Sequence, residues 1–280
     1  MQQLHTVDAL AAWRRRQNDV RVGLVPTMGN LHAGHRALID AAVATCDRVV
    51  VSIFVNPLQF GAHEDLDSYP RTLQADLDML TAAGVDAVFA PGVEQMYPQG
   101  ESATRIRVVA LDDMLCGRFR AGHFEGVATV VAKLFNLVRP QAAFFGEKDY
   151  QQLAIIRRLA VDLCMGVEVI GVATVREADG LALSSRNQYL QADERRVAPQ
   201  MAAALTACGQ RLATGERDFA ALENDALARL REAGFEPEYF AIRDAELAVP
   251  TAVTQAFRIL AAAWLGQARL IDNIGLNVAD

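Results

Sequence analysis

Val20-Arg21-Val22-Gly23-Leu24-Val25, followed at once by Pro26-Thr27-Met28-Gly29-Asn30-Leu31-His32-Ala33-Gly34-His35, is the stretch on which the fold turns. The first six residues are a short run rich in β-branched side chains, and apolar residues recur at helical spacing from about Gly34 to Cys46. Strand, turn and helix in that order open a βα unit. The turn has a chemistry of its own. Unpaired amides at a helix start, together with the helix dipole, attract phosphate. Two histidines flanking a glycine can donate hydrogen bonds to phosphate oxygens, and Gly34, lacking Cβ, lets a flat base approach the backbone. Two ordinary surface histidines are the competing reading, and the position after a first strand favours the phosphate site.

The same alternation continues outward. Val49 to Val55 is apolar on both faces, as a buried parallel strand requires, and a helix from about Thr72 to Ala83 ends at Gly84 in a C′ position. Val85 to Phe89 predicts a third strand, Arg105 to Val109 an extra one, and Cys116 to Glu125 a polar loop. Phe124 to Val138 has helical periodicity that Pro140 stops; a strand at Ala142 to Phe145, a helix at Asp149 to Cys164 and a strand at Val167 to Val172 follow. Repeated βα units predict an α/β fold, a Rossmann-like parallel sheet with helices on both faces and ligands at the carboxyl ends of its strands.

Beyond Asp179-Gly180 the pattern changes to two Ala- and Leu-rich helices, Ala192 to Leu212 and Phe219 to Ala233. Strands at Tyr239 to Arg243, Arg258 to Trp264 and Ala268 to Ile274 come next, the last two joined by Gly266-Gln267 in hairpin fashion. A smaller C-terminal α+β domain is expected, with the boundary near Val175 to Gly180, giving residues 1–177 and 178–280.

Composition narrows the partners. A net charge of −7 with no Lys/Arg block argues against nucleic acid and anionic membrane. Leu4, Val7, Leu10 and Trp13 are spaced for one helix face and end in Arg14-Arg15-Arg16, unlike a secretion signal. Ala256 to Gly266 is the longest apolar run, too short to span a membrane and carrying Arg258. Cys46, Cys116, Cys164 and Cys208 are far apart with no CxxC, so free thiols and a cytoplasmic protein are expected.

Three further segments hold candidate chemistry. Gln59 sits just past the second strand, and its amide can donate and accept toward a hydroxy acid, although most such glutamines face water. Gly146-Glu147-Lys148-Asp149 lies between a strand and a helix, where Lys148 either neutralises phosphate or is a solvated surface lysine. Leu183-Ser184-Ser185-Arg186 offers two hydroxyls and a fixed positive charge to a triphosphate; a helix N-cap with an exposed arginine fits it too.

The HxGH element after the first strand resembles the nucleotidyltransferase superfamily, and the longer VPTMGNLHAGH resembles the pantoate–β-alanine ligases, the pantothenate synthetases. Phe54-Val55-Asn56-Pro57-Leu58-Gln59-Phe60, Tyr69-Pro70-Arg71-Thr72, Phe145 to Gln152, Asp179 to Asn187, Ala263 to Gly266 and Arg269-Leu270-Ile271-Asp272-Asn273 extend the likeness over nearly the whole chain. The resemblance implies condensation of pantoate with β-alanine through a pantoyl adenylate, releasing AMP and pyrophosphate, with the smaller domain closing over the ATP site. It implies ATP contacts from Met28 to His35, from Gly146 to Asp149, at the Val175 backbone and from Leu183 to Arg186. Gln59 and Gln152 match the pantoate-binding amides, Gln59 also lies beside the β-alanine site, and Met28 and Phe60 supply apolar walls. His32, His35, Lys148 and Arg186 carry over as catalytic donors, with His35 the family's proton donor. Asp76 matches a magnesium-associated carboxylate, although Ala75 stands where some relatives have a second acid. His123 matches the family without a role, His5 and His63 read as surface residues, and a homodimer is implied. The alternatives are another HxGH nucleotidyltransferase, which needs a second basic phosphate pocket, or a silent nucleotide-binding protein.

Overall fold

A computed structural model describes residues 1–61, 64, 66–67, 69–100 and 104–278. The chain forms two compact units, Met1–Gly146 with Gln152–Ala173, and Glu147–Gln151 with Thr174–Asp280.

The first unit is built on a six-stranded sheet, all parallel. Its strands are β1 (Gln2–Leu4), β2 (Val22–Thr27), β3 (Arg48–Ile53), β4 (Ala87–Phe89), β5 (Ala142–Gly146) and β6 (Glu168–Val172), in the order β1-β4-β3-β2-β5-β6. The crossovers are α1 (Val7–Arg15), α2 (Ala33–Thr45), α3 (Leu73–Ala82), short helices α4 (Val93–Met96) and α5 (Cys116–Phe119), α6 (His123–Val138) and α7 (Tyr150–Asp162). Leu38, Ile39 and Ala42 of α2 and Leu77 and Leu80 of α3 pack with Val25, Val49, Val51 and Val88 in one core. Strand alternation sends Leu24, Val50 and Phe89, all fully buried, to the opposite face, where α6 meets β2. From β2 the chain builds outward through β3 and β4, then returns to lay β5 on the other side of β2. The crevice at the carboxyl ends of β2 and β5 is therefore the sheet's topological switch point, where open α/β sheets bind ligands.

Some elements differ from the sequence reading. Leu4 belongs to edge strand β1, paired with Phe89, because Thr6 caps α1 by accepting from the Ala9 amide at 3.1 Å. Arg105 to Val109 forms no strand; the Ile106 amide donates to buried Thr129 Oγ1 on α6 at 3.1 Å, so this amide is satisfied without a ladder. The expected loop at Cys116 to Glu125 contains α5 and the first turn of α6.

The second unit is a three-stranded antiparallel sheet, β7 (Glu236–Asp244), β8 (Ala256–Leu265) and β9 (Ala268–Asn277), with α8 (Ala192–Val197), α9 (Gln200–Ala213) and α10 (Phe219–Glu232). Leu205, Leu212 and Leu230 pack on Ile242, Ile259 and Leu270. The single helix expected from Ala192 to Leu212 is two, because Pro199 has no N–H to continue α8 and its ring blocks the next turn. The apolar Ala256 to Gly266 run is central strand β8 and its turn, and no helix of the described residues is long and apolar enough to cross a membrane.

The division falls between Ala173 and Thr174, just ahead of the expected stretch, and Glu147–Gln151 group with the C-terminal residues. Two contacts account for that grouping. Asn273 Nδ2 donates to the Glu147 and Lys148 carbonyls at 2.9 and 2.8 Å, and Tyr150 Oη donates to Ala245 O at 2.9 Å.

Candidate active site

At the end of β2 the chain turns through Gly29 (φ +83°) and Asn30 (φ +51°), and two side chains, Thr27 and Asp76, hold the turn. Thr27 Oγ1 donates to Ser52 O at 2.7 Å and accepts from the Gly29 amide at 3.2 Å. Buried Asp76 receives the Asn30 amide on Oδ2 at 3.0 Å and the Leu31 amide on Oδ1 at 2.8 Å. The positive φ favours glycine here, and a Cβ would also crowd Asp76 Oδ2 at 3.0 Å.

His32 and His35 cap α2 reciprocally. His32 Nδ1 accepts from the Gly34 amide at 3.1 Å, and His35 Nδ1 accepts from the His32 amide at 3.3 Å. A ring nitrogen that accepts an N–H cannot carry the proton of a neutral imidazole, so both rings hold theirs on Nε2. The ring centroids are 4.2 Å apart. Two Nε2–H donors are thus fixed at the N-terminus of a thirteen-residue helix.

Gln59 lies in a 3-10 turn, Pro57–Gln59, after β3. Its Nε2 donates to Met28 Sδ at 3.0 Å, and its Oε1 accepts from Asn56 Nδ2 at 3.1 Å. Asn56 is 1% exposed and every polar side-chain atom is used: Nδ2 also donates to Gly126 O at 3.1 Å, while Oδ1 accepts from Tyr97 Oη at 2.8 Å and the Leu58 amide at 3.3 Å. Burial pushes the Tyr97 phenol up to about 12, so it remains a donor throughout the neutral range. Behind the turn, the Gln59 carbonyl is held by His123 Nδ1 at 2.7 Å, and Arg120 reaches His123 Nε2 at 2.9 Å. A carbonyl only accepts and a guanidinium only donates, so His123 is the Nδ1–H tautomer. Arg120 also forks onto both Glu64 oxygens at 2.7 and 2.6 Å. Burial alone would raise the Glu64 pKa; Arg120's hydrogen bonds and charge outweigh it and hold the carboxyl below its usual range.

In the second unit, Lys148 and Ser184 line one small cavity with Asn187, Leu270 and Asp272. Leu183 is fixed by its amide, which donates to Val175 O at 2.9 Å. Ser184 caps the 3-10 turn Ser185–Tyr189 by accepting from the Arg186 amide at 3.2 Å, so the capping role weighed from the sequence and a cavity-lining position coexist. Gly146 ends β5, and Glu147–Asp149 form one 3-10 turn. Gln152 lies half-buried in the first turn of α7, and Phe60 packs edge-on to Tyr69 at 5.8 Å. His5 is exposed, its ring 3.1 Å from Ala90 O; His63 lies outside the described residues. Among the described residues no three His, Cys, Asp or Glu side chains converge as a metal site.

A family profile described as pantoate-beta-alanine ligase matches residues 2–275. The chain belongs to that family. It is 55% identical over 270 residues, 96% of this chain and 94% of the relative, to the pantothenate synthetase of Pseudomonas fluorescens. The crystal structure of pantothenate synthetase from Thermus thermophilus superposes with a TM-score of 0.92 at 48% identity, covering 98% of this chain and 99% of that one. A pantoate-β-alanine ligase from Francisella tularensis, solved in complex with beta-gamma ATP and β-alanine, gives a TM-score of 0.81 at 33% identity, with coverage of 98% and 97%. This chain is accordingly an ATP-dependent ligase of the pantoate–β-alanine ligase family.

The sequence points to Gln59 but not to the residues that hold its turn: Asn56, Tyr97, Gly126 and Arg120 carry no local signal, and His123 matches the family without a role. Asn56 stood inside the quoted Phe54–Phe60 motif, but nothing local marks a loop asparagine as buried.

Proposed function

We propose that this pantoate–β-alanine ligase works in two steps on the residues described above. A pantoate carboxylate oxygen attacks the α-phosphorus of ATP; the new O–P bond forms as the bond to the β-phosphate bridge breaks, and pyrophosphate leaves with that electron pair. The amine of β-alanine then attacks the acyl carbon of the pantoyl adenylate, the ammonium loses a proton, and AMP departs from the tetrahedral intermediate. Phosphoryl chemistry of this kind is catalysed mainly by positioning and charge stabilisation.

The observation that carries the reading is the pair of imidazoles whose Nδ1 atoms are taken by backbone amides, fixing Nε2–H donors at a helix N-terminus on the same β2–α2 connection that carries Met28, on whose sulfur Gln59 rests. His32 and His35 hold phosphate oxygens, with Met28 to Gly34 as the backbone cradle. Gln59 and Gln152 hold pantoate, Met28 and Phe60 face its methyl groups, and β-alanine binds beside Gln59. Gly146 to Asp149, with Lys148 as the cation, and Leu183, Ser184, Ser185 and Arg186 take the leaving phosphates, while the Val175 backbone meets adenine. Magnesium arriving with ATP would supply charge neutralisation at the phosphates. Asp76 is the one carboxylate the resemblance offers it. Because both Asp76 oxygens already accept loop amides, its part is foremost to shape that loop.

The same reading has the C-terminal unit closing over bound nucleotide, which scattering with and without ATP and pantoate would detect. It also has a homodimer in the cytoplasm, a compartment with which four free cysteines agree; sedimentation checks the dimer. The deciding assay is AMP release that needs both pantoate and β-alanine, together with pyrophosphate–ATP exchange that needs pantoate alone. Exchange without pantoate, or none with it, would sink the two-step mechanism.

A further inference from the structure

The Arg269–Asn273 segment was singled out in the sequence and has no part in the chemistry above. In the structure, its last residue bears on Lys148. Asn273, 3% exposed and on β9, donates through Nδ2 to two successive carbonyls, Glu147 O at 2.9 Å and Lys148 O at 2.8 Å. Its Oδ1 accepts from Arg258 Nη1 at 3.0 Å, which fixes which way round the amide sits. Arg258 in turn stacks on the Tyr150 ring, with Cζ 3.7 Å from the centroid, and approaches Glu147 at 3.4 Å. Gly275 leaves room for that guanidinium, since a Cβ there would meet Arg258 Cζ at 3.1 Å. The backbone of Asn273 is anchored as well: its amide donates to Asp272 Oδ1 at 2.7 Å and its carbonyl accepts from Arg176 at 3.2 Å. Arg176 also forks onto Asp272 at 2.7 and 2.8 Å.

We propose that Asn273, oriented by Arg258, is a positioning residue that fixes the backbone carrying Lys148, and so sets where its ammonium meets the departing pyrophosphate. The proposal rests on the reading of Lys148 as a phosphate-binding cation. The physical reasoning is short. A lysine side chain has four rotatable bonds and no preorganised geometry of its own, so the placement of its charge depends on how firmly its backbone is held. A 3-10 turn of three residues supplies little of that firmness. One buried amide bonded to two consecutive carbonyls pins both peptide planes at once. Aspartate at the same position keeps size and shape but has no N–H to give, and sets a carboxylate against two carbonyl oxygens.

The test is a double-mutant cycle on the intact chain, Asn273→Asp and Lys148→Ala singly and together, read by pyrophosphate–ATP exchange with pantoate. Displacement of a charge by about 1 Å costs on the order of 10²-fold, so N273D is expected to slow exchange 10- to 100-fold and to add less than about threefold once Lys148 is Ala. Supplied pantoyl adenylate should still react with β-alanine at a rate within about threefold of the parent, since pyrophosphate departure is already past; a merely structural defect would slow both half-reactions. If N273D is too unstable to assay, Arg258→Lys keeps the charge and loses the planar guanidinium that stacks on Tyr150 and reaches Asn273 Oδ1, and should slow exchange several-fold in the same non-additive way. Equal slowing by N273D, or by R258K, in the presence and absence of the Lys148 side chain would overturn the positioning role and leave Lys148 standing. Unaltered exchange in K148A would overturn both readings together.

Discussion

Replacing Gly126 with alanine should disturb the proposed pantoate subsite through a single methyl group. Gly126 lies in the first turn of α6, and a Cβ built there falls 2.1 Å from Leu58 O, 2.4 Å from Leu58 C and 2.7 Å from the Gln59 amide nitrogen. All three atoms are backbone, so no side chain can swing aside. A carbon and a carbonyl oxygen settle at about 3.3 Å, so the Pro57–Gln59 turn must retreat by roughly 1.2 Å. The same turn is tied to α6 by Asn56 Nδ2 on Gly126 O and by His123 Nδ1 on Gln59 O, and it cannot retreat without straining both. Stability should change modestly: alanine gains about 1 kcal/mol in a helix interior, set against about 1–3 kcal/mol for overpacking. Activity should fall much further, because a 1 Å misplacement of a positioning group costs on the order of 10²-fold. We expect kcat/KM for pantoate to drop about 100-fold while thermal melts move by only a few degrees. Gly209→Ala on α9 is the control, since its Cβ meets only the Ile274 and Ile259 methyl tips at 3.2 and 3.5 Å. Pantoate kinetics in G126A within threefold of the parent would refute the rigid coupling of α6 to Gln59.

Three other outcomes follow from the same contacts. Tyr97 has its folded pKa raised to about 12 by burial, so its contribution is complete below the unfolded value near 10 and lost as pH climbs toward 12; denaturant titrations across that window should show a steeper loss in the parent than in Tyr97→Phe. Glu64 is the opposite case: its folded pKa is depressed, so the Arg120 pair stabilises above the unfolded value near 4.3 and is lost as pH falls through the folded one, and the gap in stability between parent and Glu64→Gln, about 1 kcal/mol at neutral pH, should close in acid melts. Asp76→Ala strands two loop amides, at about 1–3 kcal/mol each, and should raise the KM for ATP about tenfold or more at every magnesium concentration; recovery of the parent KM at saturating magnesium would instead make Asp76 a direct metal contact.

Local signals carried far for the sheet and less far for the site. Val49 to Val55 announces β3 because a strand buried on both faces leaves an unbroken apolar run, and Pro26 to His35 announces the turn from β2 into α2 because a βα junction has few ways to be built. The break between α8 and α9 is written in Pro199, but the strong Ala/Leu periodicity around it masks the signal. Arg105 to Val109 has strand-like side chains, yet no neighbouring strand receives it among the described residues. Asn56 shows what remained hidden: its burial is produced by Tyr97, 41 residues on, and Gly126, 70 residues on. Pairings at such separations leave no period in a sequence.

A common device runs through the side chains that the proposed mechanism assigns to substrate. Each is oriented at an atom that has no substrate to touch: His32 and His35 at Nδ1, Gln59 at Oε1 by Asn56, and Lys148 at its own carbonyl by Asn273. The other end is thereby aimed by that bond (for Gln59, with Nε2 resting on Met28 Sδ), and the cost of holding it is met during folding, before substrate arrives. It follows that the holding residues and the held ones should differ kinetically. With Gln59 holding pantoate as proposed, its loss removes contact with ground state and transition state alike, and should appear largely in KM. Loss of a holder such as Asn56 leaves the contact available but badly aimed, a defect felt most where geometry is strictest, and so should appear largely in kcat.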